Sequence, residues 1–146
     1  MKIRSAEMKD IDFLSEYDKH VRKEELRTGI ALERILVAEE EGKPVGWLRW
    51  NLFWDNTPFM NMLYLLEGYR NRGYGKALVS CWEKKMEEAG FGTVMTSTLS
   101  NEEAQHFYRR LRYVDSGALL LPGEPLEIIF TKQLSGIQTN EAHGQQ

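Results

Sequence analysis

The sequence contains one cysteine, Cys81, and no apolar run approaching the 18 residues of a transmembrane helix. A single cysteine excludes an internal disulfide framework and is typical of a reducing compartment, so we expect a cytoplasmic protein. The N-terminus, Met1 to Ser5, lacks the apolar segment of a secretory signal. The formal net charge of -3 gives no basic excess. We therefore expect neither nucleic acid nor a membrane among the partners.

Metal-binding patterns are also missing. The three histidines, His20, His106 and His143, are scattered without the ligand spacing of a zinc site, so we expect no metal. The length suits one domain with one core, which we place at residues 1–134. Residues 135–146 are polar and show no periodicity. We predict that they form a disordered tail.

The hydrophobic periodicity predicts the element order β α α β β β α β α β β. The predicted strands cover residues 2–6, 34–40, 45–54, 59–66, 93–99, 113–121 and 126–132, and the predicted helices lie near residues 11–21, 23–31, 75–89 and 100–111. Strand–helix–strand units alternate with hairpins. This pattern favours an α/β (α+β) fold with a mixed sheet of about seven strands and helices on both faces.

A glycine-rich turn between a buried strand and a helix is the most informative segment, and it runs from Tyr69 to Leu78. Gly73 and Gly75 permit backbone angles that side chains forbid and allow a ligand to approach closely. The helix begins at once, so its first N–H groups are unpaired and form an anion site with the helix dipole. Three basic side chains add positive charge: Arg70, Arg72 and Lys76. The expected ligand is a phosphate or a diphosphate.

Two familiar phosphate motifs do not fit this turn. The nucleotide P-loop requires Ser or Thr after its lysine, whereas Ala77 follows Lys76. The dinucleotide fingerprint requires a third glycine, where this chain has Leu78. A purely structural glycine turn is the remaining alternative.

The segment Arg70-x-x-Gly73-x-Gly75 resembles the acyl-CoA motif of the GNAT N-acetyltransferases. A second segment, Asn101-x-x-Ala104 followed by Phe107 and Tyr108, resembles another motif of that family. The resemblance spans about residues 2–132 and implies a GNAT-like, mostly antiparallel sheet. It also implies that acetyl-CoA is the co-substrate, with no metal.

The same resemblance implies how acetyl-CoA is held. The amides of the turn bind the CoA diphosphate, the preceding strand splays from its neighbour and pairs with the pantetheine arm, and backbone near Leu65 holds the thioester carbonyl. The expected cofactor contacts are Leu65, Leu66, Glu67, Arg70, Asn71, Arg72, Gly73, Tyr74, Gly75, Lys76, Asn101, Ala104 and Tyr108.

Tyr108 and Glu67 are the candidate catalytic residues. In GNAT enzymes a tyrosine commonly protonates the departing CoA thiolate, which we expect of Tyr108, although it also shares a helical stripe with packing residues. Glu67 is the carboxylate nearest to the expected thioester and is the first candidate base, followed by Asp55. Both also suit solvated turn positions, and activation through ordered water is an alternative.

Two positions in or near the second motif each have two possible structural roles. Asn101 is expected to bind the cofactor, but Ser100 or Asn101 would also suit the N-cap of the following helix. Arg112 stands where the family usually has glycine at the end of that helix. An arginine in the left-handed conformation would cost on the order of 1 kcal/mol, unless the helix ends differently.

The predicted function is transfer of an acetyl group from acetyl-CoA to a primary amine by direct attack in a ternary complex. The alternative is a non-catalytic acyl-CoA sensor or a protein-interaction module. The sequence does not identify the acceptor, which is either a small-molecule amine or a peptide amine. A homodimer is expected only because members of the family commonly form one.

One predicted strand is rich in aromatic residues, which suit either the core or a wall of the acceptor site: Trp47, Trp50, Phe53 and Trp54. Arg49 and Asn51 share a face with Trp47, and we expect them to meet either the acceptor or solvent.

Overall fold

A computed structural model describes residues 1–134, and the predicted tail lies outside the described residues. The elements follow the predicted order, with one added 3₁₀ turn at Met8–Asp10. The strands are β1 (Lys2–Ser5), β2 (Ile35–Glu40), β3 (Lys43–Phe53), β4 (Thr57–Leu65), β5 (Thr93–Leu99), β6 (Val114–Leu119) and β7 (Glu127–Gln133). The helices are α1 (Ile11–Tyr17), α2 (Lys23–Ala31), α3 (Tyr74–Glu88) and α4 (Ala104–Arg110).

The seven strands form one sheet in the order β1-β2-β3-β4-β5-β7-β6. The pairs β1–β2, β2–β3, β5–β7 and β6–β7 are antiparallel, whereas β4 and β5 run parallel. The prediction of a mixed, mostly antiparallel sheet of seven strands is confirmed. No helix within residues 1–134 combines the length and the apolar character needed to span a membrane.

The described residues form two compact units. The first comprises Met1–Asn51 and Asn61–Trp82, and the second comprises Leu52–Met60 and the chain from Glu83 onward. Each unit has buried apolar residues of its own.

The core of the first unit shows why helices cover both faces of the sheet there. Trp47 and Trp50 are three residues apart on β3, so their side chains point to opposite faces. Trp47 is fully buried in a cluster with Leu14 of α1 and Leu26 of α2. The ring of Trp50 lies 6.4 Å from that of Trp82 on α3, measured between centroids.

The close pairing of β3 with β4 depends on Gly46. A Cβ at this position would lie 2.4 Å from Leu65 Cδ2 and 2.7 Å from the Tyr64 carbonyl oxygen. Only glycine fits such a contact without displacing neighbouring backbone. The sequence therefore uses Gly46 to bring β3 against the end of β4.

The second unit is built around two buried aromatic residues, Phe130 and Tyr113. The Tyr113 hydroxyl donates to Glu83 Oε2 at 2.7 Å, and Lys132 forms a salt bridge to the same carboxylate at 2.9 Å. Burial raises the pKa of Tyr113, and the neighbouring Glu83 carboxylate raises it further. Tyr113 is therefore a protonated structural donor.

Helix α4 ends in a Schellman motif with arginine in the position that usually holds glycine. Arg112 has φ +76°, its N–H donates to the Arg109 carbonyl at 3.0 Å, and the Tyr113 N–H donates to the Tyr108 carbonyl at 3.0 Å. The helix end is therefore regular, and Arg112 takes the left-handed conformation at its conformational cost. Gly90, with φ +97°, ends α3 by the same kind of bonds.

Candidate functional site

The end of β4 presents the backbone of Leu65 on the edge opposite to β3. The Leu66 N–H donates to the Val45 carbonyl of β3 at 2.9 Å. Because successive residues of a strand direct their backbone groups to opposite edges, the groups of Leu65 face away from β3. The Leu65 carbonyl accepts a hydrogen bond from Arg70 Nε at 2.8 Å. Of the strand residues assigned to the cofactor, Leu65 thus directs its N–H away from β3 while its carbonyl is bonded to Arg70, whereas the Leu66 N–H is already bonded within the sheet.

The turn before α3 has the backbone form expected of an anion site. Gly73 has φ +85° and Asn71 has φ +60°, so two residues of the turn lie in the left-handed region. Helix α3 begins at Tyr74, and its first bond runs from the Ala77 N–H to the Gly73 carbonyl at 3.0 Å. The N–H groups of residues 74–76 precede that bond, so they lack helical acceptors and define the positive end of a 15-residue helix.

The basic side chains of the turn stack on aromatic rings and hydrogen-bond to backbone carbonyls. Arg70 lies 5.1 Å from the centroid of the Tyr64 ring. Arg72 lies 5.3 Å from the ring of Tyr74 and donates to the Gly68 carbonyl at 3.1 Å. Arg70, Arg72 and Lys76 are exposed and, within residues 1–134, form no salt bridge. Within the described residues no carboxylate lies within salt-bridge distance of these three groups, although the charge of Arg72 contributes to the lowered pKa of Glu40.

The side chain of Tyr74 is tied to the protein, so this residue can offer only its N–H to a ligand on the turn. The Tyr74 hydroxyl donates to Glu40 Oε1 at 2.8 Å, and the same oxygen lies 2.9 Å from the α-amino group of Met1. The Met1 ammonium and then the Tyr74 hydroxyl hold the pKa of Glu40 below its usual value. The bond to this carboxylate raises the pKa of Tyr74. The contact fixes the first residue of α3.

In the second unit, Tyr108 lies next to the last paired residues of the parallel strands. Strands β4 and β5 pair at Phe59 with Met95 and at Met60 with Thr96. The Thr96 hydroxyl donates to the Met60 carbonyl at 2.9 Å and is also a hydrogen-bond partner of Tyr108. The Tyr108 hydroxyl is therefore held at the point where the parallel pairing stops.

Burial is the main cause of the raised pKa of Tyr108. The residue is 7% exposed, and its ring packs against those of Tyr113 and Phe130. Burial raises the pKa of Tyr108 to about 12, and the hydrogen bond with Thr96 opposes only part of that rise. The Tyr108 ring therefore has a packing role, as its place on a helical stripe with other packing residues indicated. The hydroxyl remains protonated at neutral pH and is able to donate a proton.

The start of α4 corrects the sequence prediction. The helix begins at Ala104 rather than at Ser100, and its N-cap, Glu103, makes no side-chain capping bond. The Glu102 carboxylate instead accepts from the Leu99 N–H and so closes the preceding turn. The proposed capping role of Ser100 and Asn101 is wrong. Asn101 is exposed, and its side chain makes no hydrogen bond within residues 1–134.

The two candidate bases occupy exposed turns. Glu67 follows β4 directly, and Asp55 lies in the β3–β4 turn with φ +63°. Neither carboxylate forms a salt bridge with another residue in the described part of the chain. Only Glu67 adjoins the strand end that carries Leu65. Because of this position, Glu67 remains the first candidate for the catalytic base.

A polar groove of about 300 Å³ in the first unit was not foreseen from the sequence. It is lined by Val21, Glu25, Thr28, Gly29, Leu32, Arg34, Arg49, Trp50, Asn51 and Asn61. Strand alternation singled out Arg49 and Asn51. Their partners could not be identified because they are distant in sequence: Asp18 binds Arg49 at 2.8 Å, and Asn61 donates to Asn51 at 2.6 Å.

The four aromatic residues considered for an acceptor wall lie in different parts of the fold. Trp47 belongs to the core, and Trp50 lines the groove. Phe53 packs against Phe59 at the β3–β4 hairpin, and Trp54 is 78% exposed. The four residues therefore do not form one acceptor wall.

Comparison with known families and structures identifies what this arrangement is similar to. A model of the acetyltransferase (GNAT) family matches residues 4–113. No curated protein matches the chain by sequence.

Solved structures share the fold at low sequence identity. Ard1 from Thermoplasma volcanium superposes with a TM-score of 0.79 at 17% identity, covering 91% of this chain and 97% of that chain. The ribosomal-protein-S18-alanine N-acetyltransferase from Escherichia coli gives a TM-score of 0.76 at 18% identity, with coverages of 91% and 93%. An aminoglycoside 6'-N-acetyltransferase complexed with coenzyme A gives 0.76 at 18% identity, with coverages of 92% and 97%.

Proposed function

The chain belongs to the acetyltransferase (GNAT) family of acetyl-CoA-dependent enzymes, and we propose that it acetylates a primary amine by direct attack on acetyl-CoA. The observation that carries this proposal is the turn before α3. It combines left-handed backbone at Gly73 and Asn71, three N–H groups without helical acceptors, and basic side chains that form no salt bridge within residues 1–134. These features suit the diphosphate of CoA.

In the proposed complex the turn holds the diphosphate through the N–H groups of residues 74–76. Arg70, Arg72 and Lys76 supply the positive charge that draws the anion to a chain whose net charge is -3. Leu65 offers backbone groups to the thioester arm on the edge of β4 that faces away from β3. Asn101, which is exposed and makes no side-chain hydrogen bond to another described residue, is the proposed polar contact from the second motif.

The chemical step requires one proton to leave the amine and one to reach the departing sulfur. The amine nitrogen attacks the thioester carbonyl carbon, the C–S bond breaks, and an N-acetyl product and a CoA thiolate result. We assign the donation of a proton to that thiolate to the Tyr108 hydroxyl, which is protonated at neutral pH. Glu67, directly or through water, is the proposed acceptor of the amine proton. No acyl-enzyme is formed.

An amine screen for CoA release tests this function. The full chain is incubated with acetyl-CoA and amines of different classes: amino acids, polyamines, aminoglycosides and short peptides. We expect release of free thiol that depends on the amine, together with a product 42 Da heavier than its acceptor. Binding of acetyl-CoA without release by any amine would instead identify a sensor and contradict the proposal.

A further inference from the structure

A hydrogen bond between distant side chains joins the end of β2 to the start of α3. The carboxylate of Glu40, the last residue of β2, accepts from the Tyr74 hydroxyl at 2.8 Å. Tyr74 is the first residue of α3, and its N–H is the first of the three that lack helical acceptors. The bond is partly buried, so it is partly shielded from water. A side chain 34 positions earlier in the chain therefore holds the residue at which the anion site begins.

The ring of Tyr74 extends these contacts through the turn itself. The Arg72 guanidinium lies 5.3 Å from the centroid of the Tyr74 ring and 5.6 Å from that of the Tyr69 ring. The centroids of the two rings are 6.1 Å apart. Arg72 also donates to the Gly68 carbonyl at 3.1 Å. We call this set of contacts the turn brace: it ties residues 68–74 to one another, and Glu40 ties them to β2.

The carboxylate in the turn brace opposes the binding of an anion by its charge. Glu40 and Arg72 interact electrostatically, since Arg72 contributes to the lowered pKa of Glu40. Glu40 therefore offsets part of the positive charge that the turn presents to a diphosphate. Its removal would also take from the Met1 ammonium a carboxylate oxygen that lies 2.9 Å away. By charge alone, loss of Glu40 would thus tighten the binding of an anion, whereas loss of a contact that shapes the turn would weaken it.

From these contacts we infer that Glu40 is a positioning residue for acetyl-CoA, and that through Tyr74 it keeps the turn in the conformation that binds the diphosphate. The inference rests on the proposed function, because the diphosphate site belongs to that function. When the binding form of a site is only partly populated, the observed Kd rises by the reciprocal of its population. A turn released from β2 that adopts the binding form about a tenth to about a third of the time would bind about threefold to about tenfold more weakly.

The test compares the Kd of acetyl-CoA in variants at Glu40 and at the preceding residue of β2. Glu40→Ala removes the charge and the acceptor, whereas Glu40→Gln removes the charge and retains an oxygen that can accept from Tyr74. Calorimetric titration should give a Kd about threefold to about tenfold above wild type for Glu40→Ala and near wild type for Glu40→Gln. Glu39→Ala is the matched control, because the Glu39 carboxylate binds Arg4 of β1 at 3.1 Å. We expect this control to lower Tm and to leave the Kd unchanged.

Tyr74→Phe tests the other end of the same bond. This variant removes the hydroxyl and keeps the ring beside Arg72, so we expect a rise in Kd similar to that of Glu40→Ala. The double variant should bind no more weakly than either single variant, because both changes break one bond. With an amine found in the screen, KM for acetyl-CoA should rise in these variants while kcat at saturation stays within about twofold of wild type. A purely structural role would lower Tm without this separation of KM from kcat.

The possible outcomes separate this inference from the proposed function. Unchanged or tighter binding of acetyl-CoA by Glu40→Ala would overturn the positioning role while leaving acetyl transfer intact. A Glu40→Gln variant as weak as Glu40→Ala, or an equal rise in Kd for Glu39→Ala, would overturn it as well. Failure of the wild-type chain to bind acetyl-CoA would contradict the proposed function, and this inference with it.

Discussion

Replacing Gly73 by alanine tests whether the left-handed turn before α3 holds the CoA diphosphate. Gly73 has φ +85°, and a Cβ built there meets no atom within 4 Å. The substitution therefore costs conformational energy alone, on the order of 1 kcal/mol, and causes no steric clash. For a chain of this length that cost corresponds to a fall in Tm of about 3 °C.

The effect on acetyl-CoA should be larger than the effect on stability. An alanine that relaxes toward negative φ rotates the peptide between Gly73 and Tyr74 and turns the Tyr74 N–H away from the ligand. Loss of one hydrogen bond to a charged phosphate costs about 1.5–3 kcal/mol, which raises Kd by about tenfold to about a hundredfold. Isothermal titration calorimetry with acetyl-CoA measures this change directly.

Gly42→Ala is the matched control, because Gly42 has φ +79° and equally open surroundings in the β2–β3 turn. We expect both variants to lose similar stability in thermal unfolding, but only Gly73→Ala to lose affinity. An unchanged Kd for Gly73→Ala, or an equal loss of affinity in Gly42→Ala, would refute the proposed role of the turn.

The contacts described lead to four further predictions. Tyr108→Phe should lower kcat at least tenfold and leave the Kd of acetyl-CoA nearly unchanged; equal kcat in steady-state assays would remove Tyr108 from the mechanism. Because burial raises the pKa of Tyr108 to about 12, the acid stays protonated past the ordinary tyrosine value of about 10. The pH profile of kcat should therefore show no alkaline decline near pH 10, and a decline there would contradict the assignment. Gly46→Ala, whose Cβ would lie 2.4 Å from Leu65, should destabilise the fold by about 1–3 kcal/mol in urea unfolding, whereas tolerance would mean that β3 and β4 can separate. Asp18→Asn, which leaves the Arg49 charge without its buried partner, should cost about 3 kcal/mol or more in the same assay.

The sequence predicted the order of elements because most of them are specified locally. The periodicity of apolar residues over short windows predicted the strands and the helices. The anion turn was equally visible, because glycines, basic residues and a helix start are adjacent in the chain. Each of these signals lies within about ten residues.

The errors and omissions involve interactions at longer range or competition between local alternatives. Helix α4 starts at Ala104 because Glu102 closes the preceding turn, a choice that the Ser100–Glu103 pattern did not reveal. The groove depends on pairing Arg49 with Asp18, 31 positions away, and no local pattern predicts such a partner. The acidity of Tyr108 likewise depends on burial that only tertiary packing provides.

The most direct test of the central claim is a calorimetric titration of the wild-type chain with acetyl-CoA and, separately, with ATP. The account predicts saturable binding of acetyl-CoA with one site per chain and no comparable binding of ATP, since Ala77 stands where a P-loop would place its magnesium ligand. Binding of ATP without binding of acetyl-CoA would contradict it.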